Sequence, residues 1–477
     1  MRSLDNLLAF APELWLLLGA VAVFFLARFR PGRWTAVAAF GTLALAFLAL
    51  MTQFQSKITI LDGAFLLDSY AMVLDVIVLA SAAVCILLTI GDYLPGEARG
   101  GELLGFMLLA TLGALLVVSA AEMAALLVGL ELLAVNLYLL AGLARRGGDA
   151  ARAGLGYLVL GIAGTALLLY GLALLYGLTG ESRFSALGQA LRSLGRTQPA
   201  ALLALCLLLI GFAGKLGLMP VRWWTQRFEL GVPVALLAFI TSVGTLAALG
   251  AFARLLVAAF ASSTIASAAV VAAVATVAMT GGNLLALAQV SVRRLLIYSS
   301  IAQGGYALVA LTDLQHGGVR ALLVLLAALA PTYLCAFAAV IAYGRAVHSD
   351  AIKDLAGMSR TTPGVALALG VGLASLVGIP LLAGSFGKLL VLQAAVEGGF
   401  AWLAVVGVVN LLLGALCYLR VIRVAFLDDP VYDVPPLRLD WPVQLAIGVS
   451  AAAVVGFGLV LGPVLTAAGF GQQALSH

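Results

Sequence analysis

The sequence predicts an all-α polytopic membrane protein of about 14 transmembrane helices, with two inverted five-helix repeats (spans 4–8 and 9–13) and broken helices at spans 7 and 12. Three observations carry this. Of 477 residues, 64% are hydrophobic and only 10% charged, where soluble domains are about one quarter charged. Apolar runs of roughly 20 residues, enough to cross a bilayer core as helix, follow one another along the chain. Finally, Gly-x-x-Gly-Lys-Leu occurs twice in oily sequence, in "GFAGKLGLMP" (Gly211–Pro220) and "AGSFGKLLVL" (Ala383–Leu392).

The spans, in order, are 7–27, 35–52, 66–91, 103–120, 122–143, 152–178, 199–221, 232–256, 263–288, 294–312, 318–344, 364–396, 400–427 and 441–469. The first lacks a small-residue cleavage site and runs into "RFRPGR", so it reads as a retained span with its cytoplasmic flank. The fourth and fifth part only at Ser119–Glu122. Gly180–Gln198 is polar and weakly amphipathic, and reads as an external helix lying at the interface. Asp428–Asp440 reads as a proline-rich internal loop. Four regions result: an N-terminal three-helix segment (1–102), a first five-helix repeat (103–256), a second, inverted repeat (257–427), and a loop with a C-terminal helix (428–477). With 14 spans both termini share a side. The odd-numbered loops carry 17 lysines and arginines, and the even loops with the termini carry 7. Cytoplasmic loops concentrate these residues, so both termini are expected outside.

The net charge of +5 is spread over short loops, which is no nucleic-acid footprint. Cys85, Cys206, Cys335 and Cys417 stand alone in apolar sequence, which argues against iron–sulfur and zinc sites. "GLGYLVLGIAG" (Gly154–Gly164) lies within a span, with no strand before it and no acidic ribose ligand, so it is not a dinucleotide fingerprint.

Ionisable residues inside spans are functional-site candidates by default. Glu131 lies mid-span in "LLVGLELLAVNLY", Lys215 deep in span 7, and Lys388 downstream of Gly378 and Pro380. Bland readings stand beside these. Lys215 can snorkel to the interface near Arg222. Glu131 can make a structural pair with a neighbouring helix. Asp75 reads as structural, and Asp68, at a span edge, as a cap or interface residue. Broken helices at matching places in two halves point to a transport site, whereas glycines three apart also permit close helix packing. Packing, however, needs no lysine. The two lysine motifs are about five spans apart, so their copies point oppositely in the membrane.

Five stretches together resemble the antiporter-like subunits of respiratory complex I, the proton-translocating NADH–quinone oxidoreductase, and most of all its subunit N (subunit 2) branch. They are "GLELLAVNLYLLAG" (Gly129–Gly142), "GFAGKLGLMPVRWWTQ" (Gly211–Gln226), "GNLLALAQVSVRRLLIYSSIAQGGYAL" (Gly282–Leu308), "DLAGMSR" (Asp354–Arg360) and "SLVGIPLLAGSFGKLLVL" (Ser375–Leu392). The resemblance implies a proton relay in which Glu131 pairs with Lys215 and Lys388 passes the proton to the far side. A carboxylate raises a desolvated lysine's hold on its proton, so withdrawing Glu131 would release it. This chain departs from the family at the middle of that relay. Thr245 stands where an eighth-span lysine is usual, Arg222 and Gln303 replace histidines, and Arg293-Arg294 stands where a titratable lysine is common. Arginine does not usefully deprotonate. Waters with Thr245, Tyr298, Ser299 and Ser300 are then expected to bridge the gap. The resemblance also implies no cofactor in this chain, with NADH, FMN, iron–sulfur clusters and quinone belonging to partner subunits. Partners would be other membrane subunits, another antiporter-like subunit among them, and indirectly a peripheral redox arm, all in the cell's inner (plasma) membrane. Rival readings are a subunit of a membrane-bound hydrogenase, of a multi-subunit cation/proton antiporter, or a structural subunit that has lost pumping.

Overall fold

The structure, a computed structural model, describes residues 9–29, 32–53, 57–92, 98–143, 148–193, 199–216, 232–261, 264–430 and 439–476. Eleven helices among them are long and apolar enough to cross a membrane. The chain opens with α1 (Ala11–Phe29) and α2 (Arg33–Thr52), then a hairpin of β1 (Ile58–Ile60) and β2 (Phe65–Leu67). There follow α3 (Ser69–Asp92), α4 (Ala98–Ser119), α5 (Met123–Leu143), α6 (Gly148–Thr179), the short α7 (Phe184–Ser193) and α8 (Pro199–Leu216). Then come α9 (Val234–Phe260), α10 (Thr264–Leu287), α11 (Val292–Ala310) and α12 (Gly318–Val347). The last are α13 (Pro363–Val377), α14 (Ala383–Glu397), α15 (Ala401–Leu427), α16 (Trp441–Leu459) and α17 (Leu461–Ser476).

Burial sorts these helices into layers. α9 and α12 are buried almost throughout and form the centre. α1, α2, α6, α15 and α16 expose large apolar side chains such as Phe25, Val37, Val159, Leu412 and Leu445. Apolar surface on that scale is suited to lipid tails rather than water.

The connections gather at two ends. At one end Phe65 bridges Ala120 and Glu122 bridges Arg183, and the Gln315 amide donates to the Ala261 carbonyl at 3.3 Å. At the other, Ser291 bridges Ala351, and Arg420 donates to the Gln289 carbonyl at 2.6 Å. The residues at Ala120–Glu122 do separate α4 from α5. The segment Gly180–Gln198 does hold a short helix, α7 (Phe184–Ser193). It buries Phe184, Leu187 and Leu191 and seats Gly188 so tightly that a β-carbon there would lie 2.1 Å from the Ala258 carbonyl oxygen.

Four features depart from expectation. The hairpin was not foreseen, because strands of three residues are too short for a readable alternation. It pairs Ile58 with Leu67 and Ile60 with Phe65, and turns through Leu61, Asp62 and Gly63 at φ of 51°, 54° and 92°. The expected C-terminal span 441–469 is two helices, α16 and α17, broken at Val460. Gly462 and Pro463 disfavour continuing the helix there, and Gly458 abuts the Leu381 carbonyl. The expected break at span 7 does not fall on Gly211 or Gly214, both helical within α8; residues 217–231, with Arg222, lie outside the described residues. Gly211 instead lets α8 touch α6, since a β-carbon there would lie 2.8 Å from the Leu168 backbone nitrogen and 2.9 Å from the Gly164 carbonyl oxygen. Helix packing therefore explains this glycine. Lastly, Arg254, one of the seven basic residues counted to the even loops and termini, is buried within α9.

The break expected in span 12 is present between α13 and α14. Gly378 ends α13 at φ 94°, a left-handed cap that glycine adopts without penalty, and Leu381 follows at φ 71°.

Candidate functional site

Glu131 sits on α5, half-buried, and its carboxylate accepts a 2.7 Å hydrogen bond from the Thr165 hydroxyl of α6. Thr165 also donates to the Gly161 carbonyl at 3.0 Å. Its chain neighbour Gly164 touches the backbone of Gly211 and Gly214, so α6 wedges between Glu131 and the α8 turn that carries Lys215. The Lys215 side chain lies outside the described residues, as therefore does the pairing expected between it and Glu131. Thr165 was missed by sequence reasoning. A lone hydroxyl in an apolar helix usually bonds its own backbone, so nothing in the sequence marks it.

α9 carries the next polar groups. At Ile240–Gly244 its turns widen to a π pattern, and the Thr245 hydroxyl donates to the carbonyl of Ile240, five residues back, at 3.2 Å. Such bulges are frequent at functional sites. Two small cavities flank this turn. One, about 20 Å³, lies among Tyr138, Tyr157, Gly214 and Gly244. The other, also about 20 Å³, is lined by Thr241, Thr245, Ser300, Gln303 and Tyr333. Each has room for about one water, which needs roughly 10–15 Å³. In the second, the Gln303 side-chain oxygen is buried with no hydrogen-bond partner among the described residues. A buried carbonyl of this kind calls for a donor, and the cavity is where a water can supply one.

Beside Gln303 a hydrogen-bonded file begins. Gln303 neighbours the Tyr418 hydroxyl, which donates to the Ser299 hydroxyl at 2.7 Å, and Ser299 and Tyr333 meet at 2.9 Å. Thr245, Ser299, Ser300 and Gln303, all expected as connecting groups, thus come together. Tyr333 and Tyr418, which complete the file, were not foreseen. The other three expected groups are Tyr298, Arg293 and Arg294. Tyr298 is buried. Arg293 is buried and donates to the Val232 carbonyl, tying down the start of α9. Arg294 is exposed, with its backbone N–H on the Ser291 hydroxyl that caps α11.

Lys388 lies on α14, 3% exposed. Its ammonium donates to the Leu376 carbonyl and stands 5.5 Å from the centre of the Tyr306 ring. The break makes this possible. The last carbonyls of a helix have no intrahelical partner, and the negative end of the helix dipole favours a cation. Ending α13 at Val377 thus presents a free acceptor to the lysine, and Ser375 steadies the break by accepting the Gly384 N–H at 3.0 Å.

Residues 120–414 match the family described as NADH:quinone oxidoreductase/Mrp antiporter, TM. A "NADH-quinone oxidoreductase subunit N" from Granulibacter bethesdensis is 36% identical, over 87% of this chain and 87% of its own. One of the same name from Parvibaculum lavamentivorans is 31% identical, over 100% of this chain and 99% of its own. A chain of respiratory complex I from Thermus thermophilus is 29% identical, covers 95% of this chain and 98% of its own, and has a TM-score of 0.80. A chain of the Mrp complex from Dietzia sp. DQ12-45-1b shares the fold at a TM-score of 0.85 and 22% identity, covering 99% and 97%. With its hydroxyl file and its lysine at a helix break, this chain belongs to the NADH:quinone oxidoreductase/Mrp antiporter membrane family, among the subunit N relatives.

Proposed function

We propose that the chain translocates protons as a subunit N-type component of an NADH–quinone oxidoreductase. Electron transfer from NADH through FMN and iron–sulfur clusters to quinone takes place in partner subunits. The observation that carries this reading is the file beside Gln303, from Tyr418 through Ser299 to Tyr333, together with the two one-water cavities. It occupies the middle of the bundle, where the expected lysine is replaced by Thr245. Hydroxyls and waters carry a proton by donating one hydrogen bond while accepting another, so the middle needs no titratable group of its own. In this relay Glu131 and Lys215 form a switchable pair. When partner subunits draw Glu131 away, Lys215 releases its proton to the file, and Lys388 delivers it to the outer side.

The same reading assigns about 14 spans, with inverted five-helix units at 103–256 and 257–427, flanked by 1–102 and 428–477. Its support is that connections near residues 57–67, 120–122, 183–192, 261 and 315 gather at one end of the bundle, and those near 291, 351 and 420 at the other. The basic residues favour the second group, which puts the first group and both termini outside the cell's inner membrane.

Lys215→Ala in the assembled complex, reconstituted in vesicles, is expected to lower proton pumping by about tenfold or more, the scale of a lost acid–base group. Gln303→Leu is expected to slow pumping by less, because Thr245, Ser300 and Tyr333 still line the cavity that Gln303 shares. Quinone reduction and vesicle acidification measured together check both. Pumping that Lys215→Ala leaves intact would favour the structural-subunit reading.

A further inference from the structure

Asp75 on α3 is 1% exposed and Glu13 on α1 is 4% exposed. Neither oxygen of Asp75 has a hydrogen-bond partner among the described residues, nor does one oxygen of Glu13. Beyond Glu13, the charged groups that act on Asp75 are Asp68 of its own segment and Arg254 of α9. None from α2, α4, α12, α16 or α17, which also pack on α3, acts on it among the described residues.

Arg254 is already committed. It donates to both oxygens of Asp68, at 2.9 and 2.7 Å, and to the Val118 carbonyl at 3.0 Å, while stacking 5.0 Å from the Tyr70 ring centre. Among the described residues no second cation acts on Asp75. A carboxylate in a membrane interior without counter-ion or donor is strongly disfavoured, and a bound proton removes that penalty. Glu13, whose charge acts on Asp75, adds to that demand, since like charges oppose each other's ionisation.

Position supplies the connection to solvent. Asp68 and Asp75 are seven residues apart, two helical turns, so they share a face about 10 Å apart along α3. Arg254, the partner of Asp68, also lines an open cavity of about 1170 Å³ with Lys57, Arg183, Arg192, Phe184 and Leu475. Asp68 therefore stands between the cavity and Asp75. Both carboxyls lie before residue 120, outside the segment that matches the family.

We infer that Asp75 and Glu13 form a proton-holding site in the N-terminal segment, exchanging with the outer cavity past Asp68. This rests on the proton-translocating reading, but its readout does not. In the assembled complex, infrared difference spectra between H2O and D2O are expected to show the carbonyl band of a buried, exchanging carboxylic acid. Asp75→Asn is expected to abolish that band, and Glu13→Gln to shift or remove it. An unchanged band in both variants, or a band blind to D2O, overturns the inference. If Asp75→Asn does not assemble, Asp75→Glu replaces it, and a band unmoved by that change likewise overturns the site. Because the band reports a bound proton in a resting complex, it is independent of pumping. Failure of Lys215→Ala to stop pumping would sink the relay and leave this result standing.

Discussion

Lys388→Arg is expected to give an assembled complex that reduces quinone but pumps protons about tenfold more slowly, or worse. The reasoning starts from the pocket. Lys388 is enclosed, and its ammonium meets the Leu376 carbonyl and the Tyr306 ring. A guanidinium satisfies both, because it donates to carbonyls and stacks on aromatic faces. It does not give up its proton in a protein. Arginine thus preserves the charge and its contacts while removing deprotonation. Lys388→Met does the reverse, keeping the volume while losing the charge, and is expected to stop pumping as well. Simultaneous proton and quinone assays on membrane vesicles decide it. Wild-type pumping by Lys388→Arg would eliminate proton release at this residue and leave only a positioning charge.

Arg254→Ala is expected to be the most destabilising single change described here, at about 3–5 kcal/mol. The pair it breaks is buried on both sides, with side chains 4% and 1% exposed. Removing the guanidinium strands the Asp68 carboxylate, opens the Val118 carbonyl and uncovers the face of Tyr70. The loss should appear as reduced assembly in membranes and a lower unfolding temperature of the purified complex. The paired change Arg254→Met with Asp68→Leu tests the cause. A buried ion pair exchanged for apolar groups of similar size is often neutral, so the double variant should regain most of the stability. It should still fall short by about 1 kcal/mol, because Asp68 also caps α3 through the Ala71 N–H, at 2.8 Å. A double variant as weak as Arg254→Ala would mean that packing, not stranded charge, is the origin.

Much of this was legible in the sequence for reasons that are local. Apolar runs of bilayer length forecast the helices, and Gly378 with Pro380 forecast the break that gives Lys388 its acceptor. Asp68 at a span edge was readable as a cap. Other parts depend on partners far apart in the chain. Arg254 finds Asp68 across 186 residues and Tyr418 finds Ser299 across 119, and no periodicity announces either meeting. Tyr333 and Thr165 look like ordinary members of apolar helices until neighbours are placed beside them. Gly211 teaches the converse. Its motif suggested an unwound helix, yet the demand on the residue is steric, the approach of α6.

The widened turn at Ile240–Gly244 bears on how this chain is compared with its relatives. It accommodates one surplus residue, so a relative can shed or gain one there and keep straight helix on either side. The bulge absorbs such a change and leaves the flanking faces in place, whereas a position counted across it without a gap is displaced by one residue, about 100° around the helix. An alignment that sets a relative's lysine at 245 is therefore sensitive to a gap in this segment. A lysine aligned to 245 in another chain can point into the lining now shared by Thr241 and Thr245, or away from it, according to a single insertion.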